Sequence, residues 1–263
     1  MSNFAMEITY DGTRYHGWQR QNNGVTVQEI IEKAIRSVTG ERVTVCGCSR
    51  TDSGVHARSY ILNFKSETTI PEDRLPLAIN SAMKNEDVRA LHCKTVDDDF
   101  SARFSNKGKE YVYQIYNRYI QNPFLKRYAW HVPTPLDFDA SVRAARMFEG
   151  TYDFSAFMAS GGSQKTTVRT VHSCTLSQSG SEGGVLTLKI SADAFLYNMV
   201  RIIAGTVVFC GLGKIKSDDI PEIIKEKDRR RAGVTAPGCG LFLNEVYYGK
   251  FGEKLFPDNS ENR

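Results

Sequence analysis

The chain has 263 residues, 41% of them apolar, enough to bury one or two cores and too many for a disordered tail. Lysine and arginine number 34 against 30 acidic residues, a net charge of +4 that is compatible with a polyanionic partner without demanding one. Cys46, Cys48, Cys93, Cys174, Cys210 and Cys239 are scattered, and their closest spacing is C-x-C, which argues against a zinc ribbon, a thioredoxin-like motif or a disulfide framework.

At the N-terminus, Met1 to Gly12 shows no charged region followed by an apolar one, so no signal peptide is expected and the cytoplasm is the expected compartment. Phe4 to Tyr10 reads as a strand closed by the Asp11-Gly12 turn signal. Thr26 with Glu29 forms a capping box; Val27, Ile30, Ile31, Ala34, Ile35 and Val38 recur at helical spacing, and Gly40 supplies the stop. Strands are expected at Val43 to Cys48, Tyr60 to Phe64 and Val88 to Val96, with a helix over Arg74 to Met83.

The charged stretch from Asp97 to Gly108 suggests a boundary near residue 105, giving domains 1–105 and 106–263. Beyond it the rhythm partly repeats. Strands are expected at Tyr111 to Asn117, Val168 to Leu176, Val185 to Ile190 and Leu241 to Tyr248, and helices at about Asp139 to Phe148, 195–210 and Ser217 to Lys227. The nearly uncharged run from Ala194 to Gly213 is broken by Asn198, Arg201 and several glycines, so it reads as a buried helix and not as a membrane span of ~20 residues. The whole is an α+β pattern.

Arg50-Thr51-Asp52-Ser53-Gly54-Val55-His56-Ala57 is a dense polar loop between two strands. It reads either as an ordinary turn in which Asp52 caps backbone N–H groups, or as a carboxylate presented to a ligand. Arg201 is the one charged residue between Asp193 and Lys214, and a buried cation needs an acidic partner. Asp52 is a candidate for that partner, although a plain structural ion pair and a functional one are equally compatible with the residues.

Lys107-Gly108-Lys109-Glu110-Tyr111-Val112-Tyr113 interleaves cations with aromatics at strand spacing, as a base-stacking surface does and as a half-buried strand with core tyrosines also does. The Tyr10 to Gln21 run, with Tyr15, Trp18 and Arg20, carries too many aromatics and amides for a simple connector. Lys225 to Arg231 reads as a solvated helix face. Gly161 to Thr166 lacks the glycines of a phosphate loop, and five scattered histidines show no metal-ligand spacing, so neither a nucleotide loop nor a metal is expected.

Taken together, several of these segments resemble the TruA-type pseudouridine synthases. The resemblance rests on Tyr10-Asp11-Gly12 with Tyr15, Gly17, Trp18 and Gln19, then on Arg50 to Ala57. It continues through Phe100 to Phe104 with Lys109 to Tyr113, through Ala194 to Arg201, and through Ala232-Gly233 with Thr235-Ala236-Pro237 and Gly240-Leu241. It implies a two-domain α+β fold, each domain a mostly antiparallel sheet with helices on one face, an RNA-binding cleft between them, and a homodimer acting on the tRNA anticodon arm without any cofactor. It places Asp52 as catalytic nucleophile, Arg201 as its ion-pair partner and Tyr111 against the target base. Arg50, His56, Arg20 and Lys109 are the candidates for holding the substrate RNA. Ser49, where the family usually has glycine, and Arg58-Ser59-Tyr60 depart from the pattern and leave room for a paralogue with another structured RNA as target.

Two other classes stand beside this one. A catalytically silent RNA-binding module on the same fold has no use for Asp52, Tyr111 and Arg201 together. A hydrolase or glycosidase typically uses paired carboxylates, and no second acid accompanies Asp52 in its motif.

Overall fold

In a computed structural model the described residues are 1–162, 165–179, 184–249 and 252–256. Ser163 and Gln164 of the rejected phosphate-loop reading lie outside them. The chain groups into two compact units, one formed by Met1–Gly108 with the segment from Leu243 onward, the other by Lys109–Phe242.

The first unit is built on β1 (Ser2–Tyr10), β2 (Cys46–Gly47), β3 (His56–Ser66) and β4 (Val88–Val96), with β1 antiparallel between β3 and β4 and β2 paired to β3. Two helices join it, α1 (Val27–Thr39) and α2 (Leu75–Ala82); they pack on each other and α2 packs on β4. Helix α1 is amphipathic for the reason the sequence gives. Val27, Ile31, Ala34 and Ile35 share the buried face, Thr26 Oγ1 accepts from the Glu29 N–H, and Gly40 ends the helix in the left-handed region at φ 77°. Polar side chains tie the loop after β4 to the sheet. Asn3 Nδ2 donates to the carbonyls of Asp97 (2.8 Å) and Phe100 (3.0 Å), and Asn63 Oδ1 accepts from the Ala102 N–H at 2.9 Å.

In the second unit β5 (Gly108–Tyr116), β9 (Val185–Ala192), β8 (Val168–Ser179) and β7 (Gly150–Asp153) follow one another as antiparallel neighbours, with short β6 (Trp130–His131) parallel to β5. Helix α3 (Phe138–Arg146) packs on β8 and on α4 (Met199–Gly211), which is buried along almost its whole length. Helix α5 (Ile220–Glu226) follows; the last strand of the chain, β10 (Leu241–Tyr247), begins in this unit and from Leu243 onward belongs to the first. This is the α+β composition expected, with antiparallel pairing dominant. No helix among the described residues is long and apolar enough to cross a membrane.

Three expectations need correction. Val43 to Cys48 is a strand only at Cys46–Gly47, because the Val45 N–H goes to Glu32 Oε1 (3.1 Å) and not to a ladder. The helix expected over Ser217 to Lys227 is a 3-10 turn, Ser217–Asp219, followed by α5, which Lys227 ends at φ 60°. Both faces of β5 are covered: Tyr111, Val112 and Tyr113 are all buried, so the tyrosines are core residues, as one of the two readings has them, but the strand is not half-buried.

Candidate active site

The loop that carries Asp52 is held from both sides within the first unit. On one side the sheet anchors it: from β3 the Tyr60 hydroxyl donates to the Ser49 carbonyl, and from the end of β1 the Tyr10 hydroxyl bonds Thr51 Oγ1 at 2.8 Å. On the other side the segment after β1 grips it. The Trp18 N–H donates to the Thr51 carbonyl at 3.1 Å, and the Ser53 hydroxyl donates to the Tyr15 carbonyl at 3.3 Å.

Two glycines allow this approach. A methyl group on Gly12 would overlap the Val55 carbonyl, and one on Gly17 would overlap the Thr51 carbonyl and stand 3.1 Å from the Asp52 carbonyl carbon. Gly17 also has φ +82°, a conformation that side chains disfavour. Trp18 is a core residue, stacked on Tyr60 with centroids 4.2 Å apart. Tyr15 anchors the gripping segment in turn: its hydroxyl donates to Glu86 Oε2 and accepts from the Asp87 N–H, both at 2.9 Å.

Asp52 itself sits at the tip, half-buried, with its carbonyl accepting from the Val55 N–H at 3.2 Å to close the turn. Arg50 is exposed beside it. His56 is buried at the head of β3; its Nδ1 accepts from the Gly12 N–H at 3.1 Å and lies 3.1 Å from Asp11 Oδ1, so it braces the turn after β1. Arg20 is exposed over much of its side chain, yet its guanidinium pairs with the buried carboxylate of Glu32. Glu32 also accepts from Gln28 Nε2 at 2.9 Å and from the Val45 N–H at 3.1 Å. The residue pattern did not single out Glu32, because an acid on a helix normally faces water.

In the second unit Tyr111 is buried with its ring edge-on to Phe195, centroids 5.0 Å apart. Lys109, two residues earlier on β5, is half-buried, and Glu110 between them pairs with Lys189 at 3.0 Å. Arg201 stands in the first turn of α4 and is half-buried, less enclosed than the apolar run around it suggests. Its Nε donates to the Ala236 carbonyl at 2.7 Å and its Nη1 to Asn198 Oδ1 at 2.6 Å. Asp193, the acid nearest in sequence, spends Oδ1 on the N–H groups of Thr170 (3.1 Å) and Ala194 (2.6 Å).

A half-buried carboxylate fixed on a clamped loop, in an α+β chain with a basic bias, is an arrangement that single-acid chemistry could use. The sequence profile of the tRNA pseudouridine synthase family matches residues 6–105 and 144–249. A relative from Thermoanaerobacter sp. strain X514, "tRNA pseudouridine synthase A", is 48% identical over 94% of this chain and 100% of its own length. One of the same name from Acetivibrio thermocellus is 49% identical over the same shares, and "tRNA pseudouridine synthase A 2" of Clostridium tetani is 44% identical over 94% of this chain and 98% of its own. The chain belongs to the tRNA pseudouridine synthase family, a family of isomerases.

Proposed function

We propose that this chain isomerises uridine to pseudouridine in the anticodon stem-loop of tRNA, with Asp52 as nucleophile. The observation that carries the reading is the clamp on the Asp52 loop: two glycines, Gly12 and Gly17, without which the Gly12–Trp18 segment would collide with it. An ordinary surface turn has no need of backbone packed on backbone on one side and buried tyrosine hydroxyls on the other.

The reaction breaks the N1–C1′ bond and makes a C5–C1′ bond. N1 gains a proton, C5 loses one, and no redox equivalent or energy source enters. Asp52 adds to C1′ as N1 departs, the freed uracil turns, C5 attacks C1′ and the carboxylate leaves unchanged. Since the base is stacked in RNA, it is first extruded, which calls for cationic contacts to phosphates and an aromatic neighbour for the base. Arg50, Arg20 and Lys109 serve the first need, Tyr111 the second. His56 serves from behind the loop by fixing the Gly12 turn. Arg201 is the counter-charge of the Asp52 carboxylate. A homodimer in the cytoplasm completes the reading.

The test is purified protein on unmodified tRNA transcript, with pseudouridines mapped to the nucleotide. Modification confined to the anticodon stem-loop supports the reading; modification elsewhere in tRNA or only in another structured RNA moves the target. Release of free uracil points to a glycosidase, and RNA binding without turnover leaves a silent binding module.

A further inference from the structure

The second unit contains an arginine whose bonding differs from that of its neighbours. In the 3-10 turn Arg229–Arg231, Arg230 pairs with Asp228 at 2.8 Å, and Arg231 pairs with Glu226 and, at 3.4 Å, with Glu222. Arg229 has no ion pair among the described residues. Its Nη1 donates to the Gly233 carbonyl at 2.8 Å and its Nη2 to Thr235 Oγ1 at 3.2 Å. The side chain is half-buried, and both acceptors are neutral. A cation drawn partly out of water onto neutral groups is an expensive way to hold a loop unless the position of that loop matters.

The loop in question, residues 233–236, lies across α4 as a strap. The Gly233 N–H donates to Thr206 Oγ1 at 2.9 Å, and that hydroxyl donates to the Ile202 carbonyl at 2.8 Å. A methyl on Gly205 would overlap the Val234 carbonyl, and one on Gly233 would overlap the Gly205–Thr206 peptide. Strap and helix therefore touch backbone to backbone. At its far end the Ala236 N–H donates to the Arg201 carbonyl at 3.1 Å, and the Ala236 carbonyl accepts from Arg201 Nε at 2.7 Å. Asn198, held at φ 59°, takes Nη1. Strap and helix cap together fix the plane of the Arg201 guanidinium.

We propose that Arg229 is a positioning residue for the reaction: by holding Gly233 and Thr235 it sets the Ala236 carbonyl that orients Arg201. This rests on the reading of Arg201 as the counter-charge of Asp52. The sequence shows Arg229 as one cation of a solvated cluster, whereas its hydrogen bonds turn it inward.

The test uses full-length Arg229→Ala, Arg229→Lys and Thr235→Val, with Arg201→Met in parallel, in single-turnover and steady-state assays on tRNA well below each variant's melting temperature. Arg229→Ala should lower kcat by roughly tenfold to a hundredfold, the scale of a misplaced catalytic group. KM, tRNA affinity and its salt dependence should stay unchanged. Arg229→Lys should recover part of the loss, since an ammonium reaches one of the two acceptors, and Thr235→Val should show a smaller loss of the same kind. If Arg229→Ala does not fold, the lysine and valine variants carry the test. Wild-type kcat in these variants, or a defect confined to KM and affinity, overturns the proposal. Full turnover by Arg201→Met sinks the underlying reading of Arg201, whereas a dead Arg201→Met beside a fully active Arg229→Ala sinks this inference alone.

Discussion

Asp52 is one carboxylate among many in the chain, and what separates it is the backbone beneath it. Asp52→Asn keeps the side chain's shape and removes the proposed nucleophile, so isomerisation should fall to background while tRNA binding stays within a few-fold; substantial turnover by a pure preparation would return Asp52 to the role of a turn residue. Gly17 is the sharper probe of the clamp. Gly17→Ala meets both a disfavoured φ and the Thr51 carbonyl, whereas Gly40→Ala meets a similar φ of +77° with nothing within 4 Å. Each should lose about 1–3 kcal/mol of unfolding free energy from backbone strain alone. Only Gly17→Ala should also lose kcat, because it displaces the loop. Equal kcat for the two variants would mean that the clamp has no bearing on catalysis.

At the scale of elements, the sequence is legible where local chemistry and tertiary packing agree. Helix α1 falls within a residue of its expected ends because capping box, apolar stripe and glycine stop all point the same way. Strand β4 matches its expected span, Val88–Val96. The Val43 to Cys48 stretch departs from the strand its residues suggest because a distant side chain, Glu32, takes the Val45 N–H that a strand would use. The Asp52 loop was legible as a cluster of polar residues, but its clamp was not, since nothing local reveals which glycine approaches which carbonyl. Similarly, Arg201 drew notice as a lone charge in an apolar run, while the strap that orients it comes from residues some 35 positions later.

Arg20 shows how an element-level bond complicates a site assignment. It joins the segment after β1 to α1 through Glu32, whose carboxylate is only 7% exposed while the arginine side chain is 57% exposed. Arg20→Met would leave the buried carboxylate with the Gln28 and Val45 donors only, at a cost of about 1–3 kcal/mol for the weakened hydrogen bonding. Urea unfolding measures that loss. A matching loss of tRNA affinity at a temperature where the variant is fully folded would give Arg20 a second role on the RNA, and unchanged affinity would confine it to the fold.

Across the whole molecule, two kinds of charge behaviour separate stability from function. Burial pushes Tyr15 from 10.0 up to about 12 and Cys93 and Cys210 from 9.0 up to about 12, and it raises Tyr113, Tyr248 and Cys174 as well. The folded chain keeps protons that the unfolded chain releases, so this stabilisation is complete below about pH 9 and declines as pH rises towards 12. The melting temperature should therefore fall steadily over that interval, and a flat profile would show those side chains to be solvent-accessible.

RNA binding should answer to salt instead, because a net charge of +4 is modest and only cations that meet phosphates release counterions. The logarithm of tRNA affinity should fall linearly with the logarithm of salt, with a slope of roughly −0.7 to −0.9 per phosphate neutralised. Arg50, exposed beside the Asp52 loop, is placed to be one of the contacts. Arg50→Ala should weaken binding and make the slope shallower by about 1, whereas Asp52→Asn should leave the slope as it is, since a carboxylate in the proposed role of nucleophile displaces no counterion from a phosphate. Filter binding across a salt series reads both slopes directly. An affinity insensitive to salt, or an Arg50→Ala slope equal to that of the unaltered chain, would remove Arg50 from the RNA interface and direct the search for phosphate contacts to the other exposed cations.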